Sequence, residues 1–413
     1  MKQSTIRDIA GGITAIKGVR AAGVYCGIKR AKPVLSPAEG LDLALIVSDR
    51  PATVAGVTTN NRTKAAPVLL CERQLKGGRF SALVANSGNA NACTGPQGAR
   101  DAVQMRDRLA RLIDRPAGEV FVASTGVIGK RLPLPKVLSG IREGYGCLSV
   151  TGGQEAARAI MTTDTSPKEA AVSFELDGKS VVIGGIAKGS GMIAPNLATM
   201  LCFVGTDAGI SSPLLRRVLR RTVGDTFNTM TVDGCMSTND TVLLFANGMS
   251  DTPSLKAGTP QLALFEEALF QILSRLARMI MKDGEGATKL VRVEVKGSRT
   301  TRDAKVAARA VADSALVKTA FFGEDCNWGR IMAAIGASGI RFDPSRVEIA
   351  LDTIPVVRQG VGLGAAAERQ AAVRMRRSEF DLTIHLHEGT AEAVVLTTDL
   401  SEAYVRINAG YRS

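Results

Sequence analysis

The chain has 413 residues, 45% hydrophobic and 22% charged, the composition of a globular protein. No apolar run reaches the roughly 18 residues of a transmembrane helix, no apolar signal segment opens the sequence, and seven cysteines without a CxxC pair fit reduced thiols in the cytoplasm. The net charge of +13 divides as 26 Lys and Arg against 15 Asp and Glu in residues 1–198 and 26 against 24 beyond; with 4% aromatics and no nucleic-acid-binding motif, it points to anionic small substrates.

Residues 41–70 read as two short strands, LALIVSD and ATVAGVTT, running into a loop, NNRTKAAPV. SALVANSGNANACTG is a strand leaving into an Asn, Ser and Gly loop. GARDAVQMRDRLARLI (98–113) has apolar residues at helical spacing, and EVFVASTGVIG (119–129) is a strand ending in a tight turn. AVSFELDGKSVVIGGIA is a β-hairpin turning at Asp177-Gly178. SSPLLRRVLRRTV and the segment from Thr259-Pro260 to Asp283-Gly284 are helices opened by Ser or Thr before Pro. TRDAKVAARAVADSA and CNWGRIMAAIG are further helices, and RVEIALD and FDLTIHLHEG are strands of the last 70 residues. Interleaved strands and helices predict an α/β (α+β) class, with helices covering sheet faces.

The two histidines, His385 and His387, lie two apart on one predicted strand. With no third histidine and no carboxylate at ligand spacing, they read as edge-strand residues rather than a metal pair, and no metal site is expected. Without a GxSxG elbow, nothing supports a Ser-His-Asp triad either.

A nucleophile can dispense with histidine when its base is its own α-amine, whose pKa near 7.7–8.0 suits the task. That requires an N-terminal Ser, Thr or Cys. In KGSGMIAPNLATML (188–201), which joins two apolar runs, Thr199 would qualify if the Ala198–Thr199 bond were cut. Gly189, Gly191 and Pro195 permit an irregular approach, and small Ala198 leaves its carbonyl within reach of the Thr199 hydroxyl. On local sequence alone, a plain strand-loop-strand joint and a phosphate-cradling nest stay open. The order differs from a Walker loop, because Lys188 precedes the glycines.

AKGSGMIAPNLATMLCFVGTDA resembles the cleavage-site signature of the ornithine acetyltransferase (glutamate N-acetyltransferase) family of arginine biosynthesis. The likeness runs through GGITAIKGVRAAGVYCGIK, TTNNRTKAAPV, LVANSGNANACTG, STGVIGKRLP and AIMTTDTSPK. It continues through TVDGCMSTNDTV, KDGEGATK, FFGEDCNWGRI and YVRINAGYRS. The resemblance implies self-cleavage between Ala198 and Thr199 into chains of residues 1–198 and 199–413. These would intertwine in a layered sandwich of the N-terminal-nucleophile type and assemble as a heterotetramer of two such pairs. Thr199 would take acetyl from N2-acetylornithine and pass it to glutamate, with Thr125 and Gly126 as oxyanion donors. Thr162, Lys188, Glu285, Asn408 and Ser413 would contact substrate, the last placing the end of the sequence in the site. Lys188 would also lower the pKa of the new α-amine by like charge. Three positions depart from the family pattern: Ala194 for a common His, Leu197 for Met, and Ser413 for Thr, which keeps its hydroxyl.

No cofactor is expected, although some family members accept acetyl-CoA as a donor. The neighbouring alternative is a self-cleaving aminopeptidase or amidohydrolase, in which water intercepts the acyl-enzyme. A nucleotide-binding enzyme using KGSG predicts stabilisation by ATP and an intact chain, and a nucleic-acid binder predicts salt-sensitive retention.

Overall fold

The computed structural model describes residues 5–29, 40–194 and 200–410. Two sheets organise it, and the mixed α/β expectation holds. The first sheet runs, in spatial order, Arg7–Ile9, Lys168–Leu176, Lys179–Lys188, Leu201–Thr206, Thr241–Ala246, Leu43–Thr58, Arg79–Asn86, Val120–Ser124, with Val19–Val24 also paired to Leu43–Thr58. The strand Leu201–Thr206 therefore fills a central slot, antiparallel to Lys179–Lys188 and parallel to Thr241–Ala246.

The two strands expected between residues 41 and 58 are one 16-residue strand, Leu43–Thr58. Its ladder with Arg79–Asn86 shifts register between Val47 and Ala52, where exposed Asp49 and Arg50 and the N–H-less Pro51 leave the pairing. A bulge thus bends a strand that the sequence pattern reads as broken. The hairpin forms as expected: Leu176 pairs with Lys179, and Asp177 and Gly178 take φ of 49° and 77°, the left-handed pair that a two-residue turn requires.

The helix Pro260–Lys282 is capped by the Thr259 hydroxyl, which accepts from the Leu262 N–H. Its buried face of Phe265, Leu269, Ile272, Leu276 and Ile280 packs with Val172, Val181 and Ile183 of the first sheet. Met230 and Leu290 of the second sheet share that core, so this helix ties the two sheets together. The second sheet runs Val361–Gly362, Ile354–Arg358, Glu348–Leu351, Glu379–His385, Leu290–Ser298, Ala391–Thr398, Met230–Thr231, and Thirteen-residue Thr301–Asp313 lays Ala304, Ala307, Ala308 and Val311 onto it.

The strand Glu379–His385 is interior, flanked on both sides, which corrects the edge-strand placement of His385, while His387 lies past the strand's end with φ of 53° rather than on it. Its Phe380, Leu382 and Ile384 fill the core while the alternate side chains face outward, a pattern that edge and interior strands share. The His385 and His387 rings stand 3.8 Å apart. Among the described residues no His, Cys, Asp or Glu cluster has metal-site geometry, and no helix is long and apolar enough to cross a membrane.

Candidate active site

A single cleft collects residues from five separate stretches of sequence: Thr125, Gly126, Thr162, Lys188, Glu285 and Asn408 all line it. Ile193 and Met200 line it too. Ala198 and Thr199, in the stretch between them, and Ser413 lie outside the described residues.

Lys188 ends the strand Lys179–Lys188 and is nearly enclosed. Its Nζ donates to the Thr162 hydroxyl at 2.7 Å, lies 3.4 Å from the Thr125 hydroxyl and stands 3.8 Å from the Asp164 carboxylate. Asp164 is wholly buried and works as the hub beneath. It accepts the N–H groups of Thr162 at 3.0 Å and Gly189 at 2.7 Å, and pairs with Lys168 at 2.7 Å. Lys168 in turn reaches Asp283. Burial alone pushes the Asp164 carboxyl upward, but the charges of Lys188 and Lys168 outweigh it and hold the group well below the usual carboxylate range. The cluster fixes a lysine in the low-dielectric wall of the cleft, where its charge acts strongly on whatever binds.

The turn at Thr125-Gly126 follows the strand Val120–Ser124. The Thr125 N–H is taken by the Asn86 carbonyl at 2.9 Å, while Asn239 Nδ2 holds the carbonyls of Ser124 at 2.7 Å and Ala90 at 2.6 Å. Gly126 has φ of 127°, and a Cβ there would meet the Gly88 carbonyl carbon at 2.4 Å. Only glycine fits, so the ANSGNA segment and STGVIG are packed backbone to backbone. A hydroxyl and a peptide N–H at such a turn are suitable donors for a developing oxyanion.

The opposite wall comes from the turn after Pro260–Lys282 and from the helix Glu402–Gly410. The Glu285 N–H donates to the Ser190 carbonyl at 3.0 Å, and Asn408 Nδ2 donates to Glu285 Oε2 at 2.8 Å. Gly191 leaves room for that carboxylate, since a Cβ there would lie 2.3 Å from it. Asp233 grips the chain at Met192 and Ile193: its carboxylate accepts from Met192 N–H at 2.6 Å, Ile193 N–H at 2.9 Å and Cys235 N–H at 3.1 Å, and the Tyr404 hydroxyl donates to it at 3.3 Å. Met192 is thereby held at φ of 56°, a left-handed conformation uncommon for its side chain.

Sequence reasoning missed Asp164, Asp233, Asn239, Asp240 and Tyr404. Each lies inside a stretch singled out for the resemblance, MTTDT, TVDGCMSTND or YVRINAGYRS. Asp-Gly and Ser-Thr-Asn-Asp read locally as turn chemistry, and only the tertiary pairing turns them toward the cleft.

A family model described as the ArgJ family matches residues 20–413. The chain is 49% identical over 405 residues to the arginine biosynthesis bifunctional protein ArgJ of Symbiobacterium thermophilum, covering 98% of this chain and 99% of that protein. It is 44% identical over 417 residues to the glutamate N-acetyltransferase of Methanocaldococcus jannaschii, covering 98% and 100% respectively. Among solved structures, the ornithine acetyltransferase of Mycobacterium tuberculosis, complexed with ornithine, is 43% identical over 47% of this chain and the whole of that one, with a TM-score of 0.42. With the family match spanning nearly all of the sequence, the chain belongs to the ArgJ family.

Proposed function

We propose that this acetyltransferase of arginine biosynthesis cuts its own Ala198–Thr199 bond and then uses Thr199 to carry acetyl from N2-acetylornithine to glutamate. The observation that carries the reading is the convergence in one cleft of Ile193 and Met200, on either side of the scissile stretch, with Thr125, Gly126 and Lys188. The freed α-amine takes the hydroxyl proton as Thr199 Oγ attacks the acetyl carbonyl. The Thr125 hydroxyl and Gly126 N–H receive the negative charge that develops on the carbonyl oxygen. Ornithine leaves with its amine protonated, and an acetyl ester remains on Thr199. The glutamate amine then attacks that ester and restores the free hydroxyl.

Glu285, oriented by Asn408, suits the ammonium of ornithine, and Lys188 with Thr162 suits a substrate carboxylate. Ser413 is assigned the remaining hydroxyl contact. Residues 1–198 and 199–413 form the two chains, and two such pairs make a heterotetramer. No cofactor is required, because the acyl ester forms on the protein itself. The naming of some relatives as bifunctional supports acetyl-CoA as a second donor, which an acetylglutamate assay without acetylornithine tests.

The primary test is the mass of the purified protein under denaturing conditions, with N-terminal sequencing of the second fragment. Two fragments are expected, the second beginning Thr-Met-Leu-Cys-Phe. Thr199→Ala is expected to remain at 43.4 kDa and to transfer no acetyl. A 43.4 kDa wild-type species that turns over acetylornithine and glutamate would overturn the N-terminal nucleophile.

A further inference from the structure

Two groups that seize opposite ends of a substrate also measure it, provided that neither can move. In the proposed reading Lys188 with Thr162 takes the carboxylate of acetylornithine, and Glu285 with Asn408 takes the ammonium. The Asp164 cluster fixes the first end. The second end needs fixing more, because Glu285 stands in the connection 283–289, between the helix Pro260–Lys282 and the strand Leu290–Ser298. Such a connection has no ladder of its own and moves unless something holds it.

The hold comes from residues 398–401, which lie outside the lining of the cleft. Asp399 is 3% exposed. Its Oδ1 accepts the Thr288 N–H at 2.8 Å and the Lys289 N–H at 2.9 Å, and its Oδ2 accepts the Thr288 hydroxyl at 2.6 Å. A carboxylate taking three donors is the strongest of the contacts on this connection. Two residues on, the Ser401 hydroxyl donates to the Gly286 carbonyl at 2.5 Å and accepts the Tyr404 N–H at 3.4 Å, in the helix Glu402–Gly410 that carries Asn408. Gly286, at φ of 67°, lets the connection lie against that helix, since a Cβ there would stand 2.4 Å from the Tyr404 nitrogen. One short stretch therefore joins both members of the Glu285–Asn408 pair.

This stretch has a firm footing. Thr398 pairs with Leu290 across the second sheet. Beneath it, buried Lys318 donates to the Thr398 carbonyl and to the hydroxyls of Thr397 and Thr398, both at 3.1 Å, and the Leu400 N–H donates to the Lys318 carbonyl at 3.1 Å. Lys289 is held from its other side, where its Nζ meets Glu324 at 3.0 Å.

We propose that Asp399 sets the length of substrate this enzyme accepts: by locking Thr288 and Lys289, it holds the Glu285 carboxylate at a fixed span from Lys188. It acts through Glu285 and is a positioning residue. The inference rests on the reading of Lys188 and Glu285 as the two ends of the substrate site. N2-acetylornithine matches the span, whereas N2-acetyllysine, one methylene longer, has to buckle or push one end aside. One methylene is worth about 10- to 200-fold in a site that does not yield. A connection released from Asp399 yields.

The test is acetyl transfer to glutamate by the purified enzyme, with N2-acetylornithine and N2-acetyllysine competing as donors. The proportion of ornithine to lysine released gives the ratio of their kcat/KM values, and that ratio does not depend on how much of the protein is folded. Asp399→Ala is expected to lower the wild-type preference for acetylornithine at least about fivefold, within the range that one methylene commands. Asp399→Asn, which keeps an oxygen for the two N–H groups, is expected to lower it about threefold on the same scale. A purely structural role slows both donors together and leaves the ratio unchanged. A ratio within about twofold of wild type in the Ala variant, or in the Asn variant should Ala not fold, overturns the proposal, as does a wild type that takes both donors equally. Glu285→Gln separates the failures: losing a charged partner, it is expected to use acetylornithine at least about tenfold less well. Undiminished use by that variant overturns the reading of Glu285 and the proposal with it, whereas a diminished Gln variant beside an unmoved Asp399 ratio overturns the proposal alone.

Discussion

Asp164 shows what a single buried carboxylate does for this site. It receives two backbone N–H groups and sits between two lysine charges. Asp164→Asn removes the negative charge and leaves Lys168 and Lys188 less compensated, with an expected loss of about 3 kcal/mol at pH 7, the scale of a broken buried pair. Because the folded carboxyl titrates below its unfolded value, its contribution is complete above the unfolded pKa near 3.9 and fades as pH falls through the lower folded value. Denaturant midpoints of the two proteins are therefore expected to differ more at pH 7 than at pH 3, with the gap narrowing further as pH falls toward the lower folded value. An equal gap at both pH values would count against this electrostatic role. In the sequence, Asp164 is one polar residue of MTTDT; its importance depends on Lys168, four residues on, and Lys188, twenty-four on, and no local pattern announces a pair made by neighbouring strands.

At the scale of elements, the turn after Val120–Ser124 depends on a glycine that no side chain can replace. Gly126→Ala would press a Cβ against the backbone of Gly88 and Asn89 in a conformation already unfavourable to alanine. The turn is expected to shift and the rate of acetyl transfer to fall about 100-fold or more, as when one oxyanion donor is lost. Single-turnover kinetics at saturating acetylornithine measures this; an unchanged rate would remove Gly126 from the oxyanion role. Much of this architecture was legible beforehand. The Asp177-Gly178 hairpin, the capped helix Pro260–Lys282 and the apolar stripe of Gly95–Leu112 follow from turn residues, caps and periodicity. Less legible were elements lacking those signals. The helix Ala66–Gln74 lies where a loop was expected, because KAAPV reads as a break, whereas Pro67 occupies the first turn, the place in a helix where a missing N–H costs nothing. The helix Glu402–Gly410 has no buried residues, so no apolar stripe marks it, yet it brings Asn408 to Glu285.

Across the whole molecule, the described site residues implied by the family resemblance are scattered from residue 125 to residue 408, and the two sheets with their connections draw them to one cleft. The strand Leu201–Thr206, just beyond the proposed cut, is hydrogen-bonded along both edges within that sheet. One consequence concerns reversibility. In the uncut chain this strand finds its slot by closing a loop on itself, at a cost that grows only slowly with loop length. Once the peptide bond is gone, the same pairing is an encounter between two molecules, and recovery depends on their concentration. Thr199→Ala, uncut, is expected to regain its fold after dilution from urea at any protein concentration, whereas the cut wild type recovers poorly when dilute; equal recovery measured by circular dichroism would refute this. The proposed processing would then act as a ratchet, leaving a native state that persists by its barrier to unfolding and that its separated halves do not readily find again.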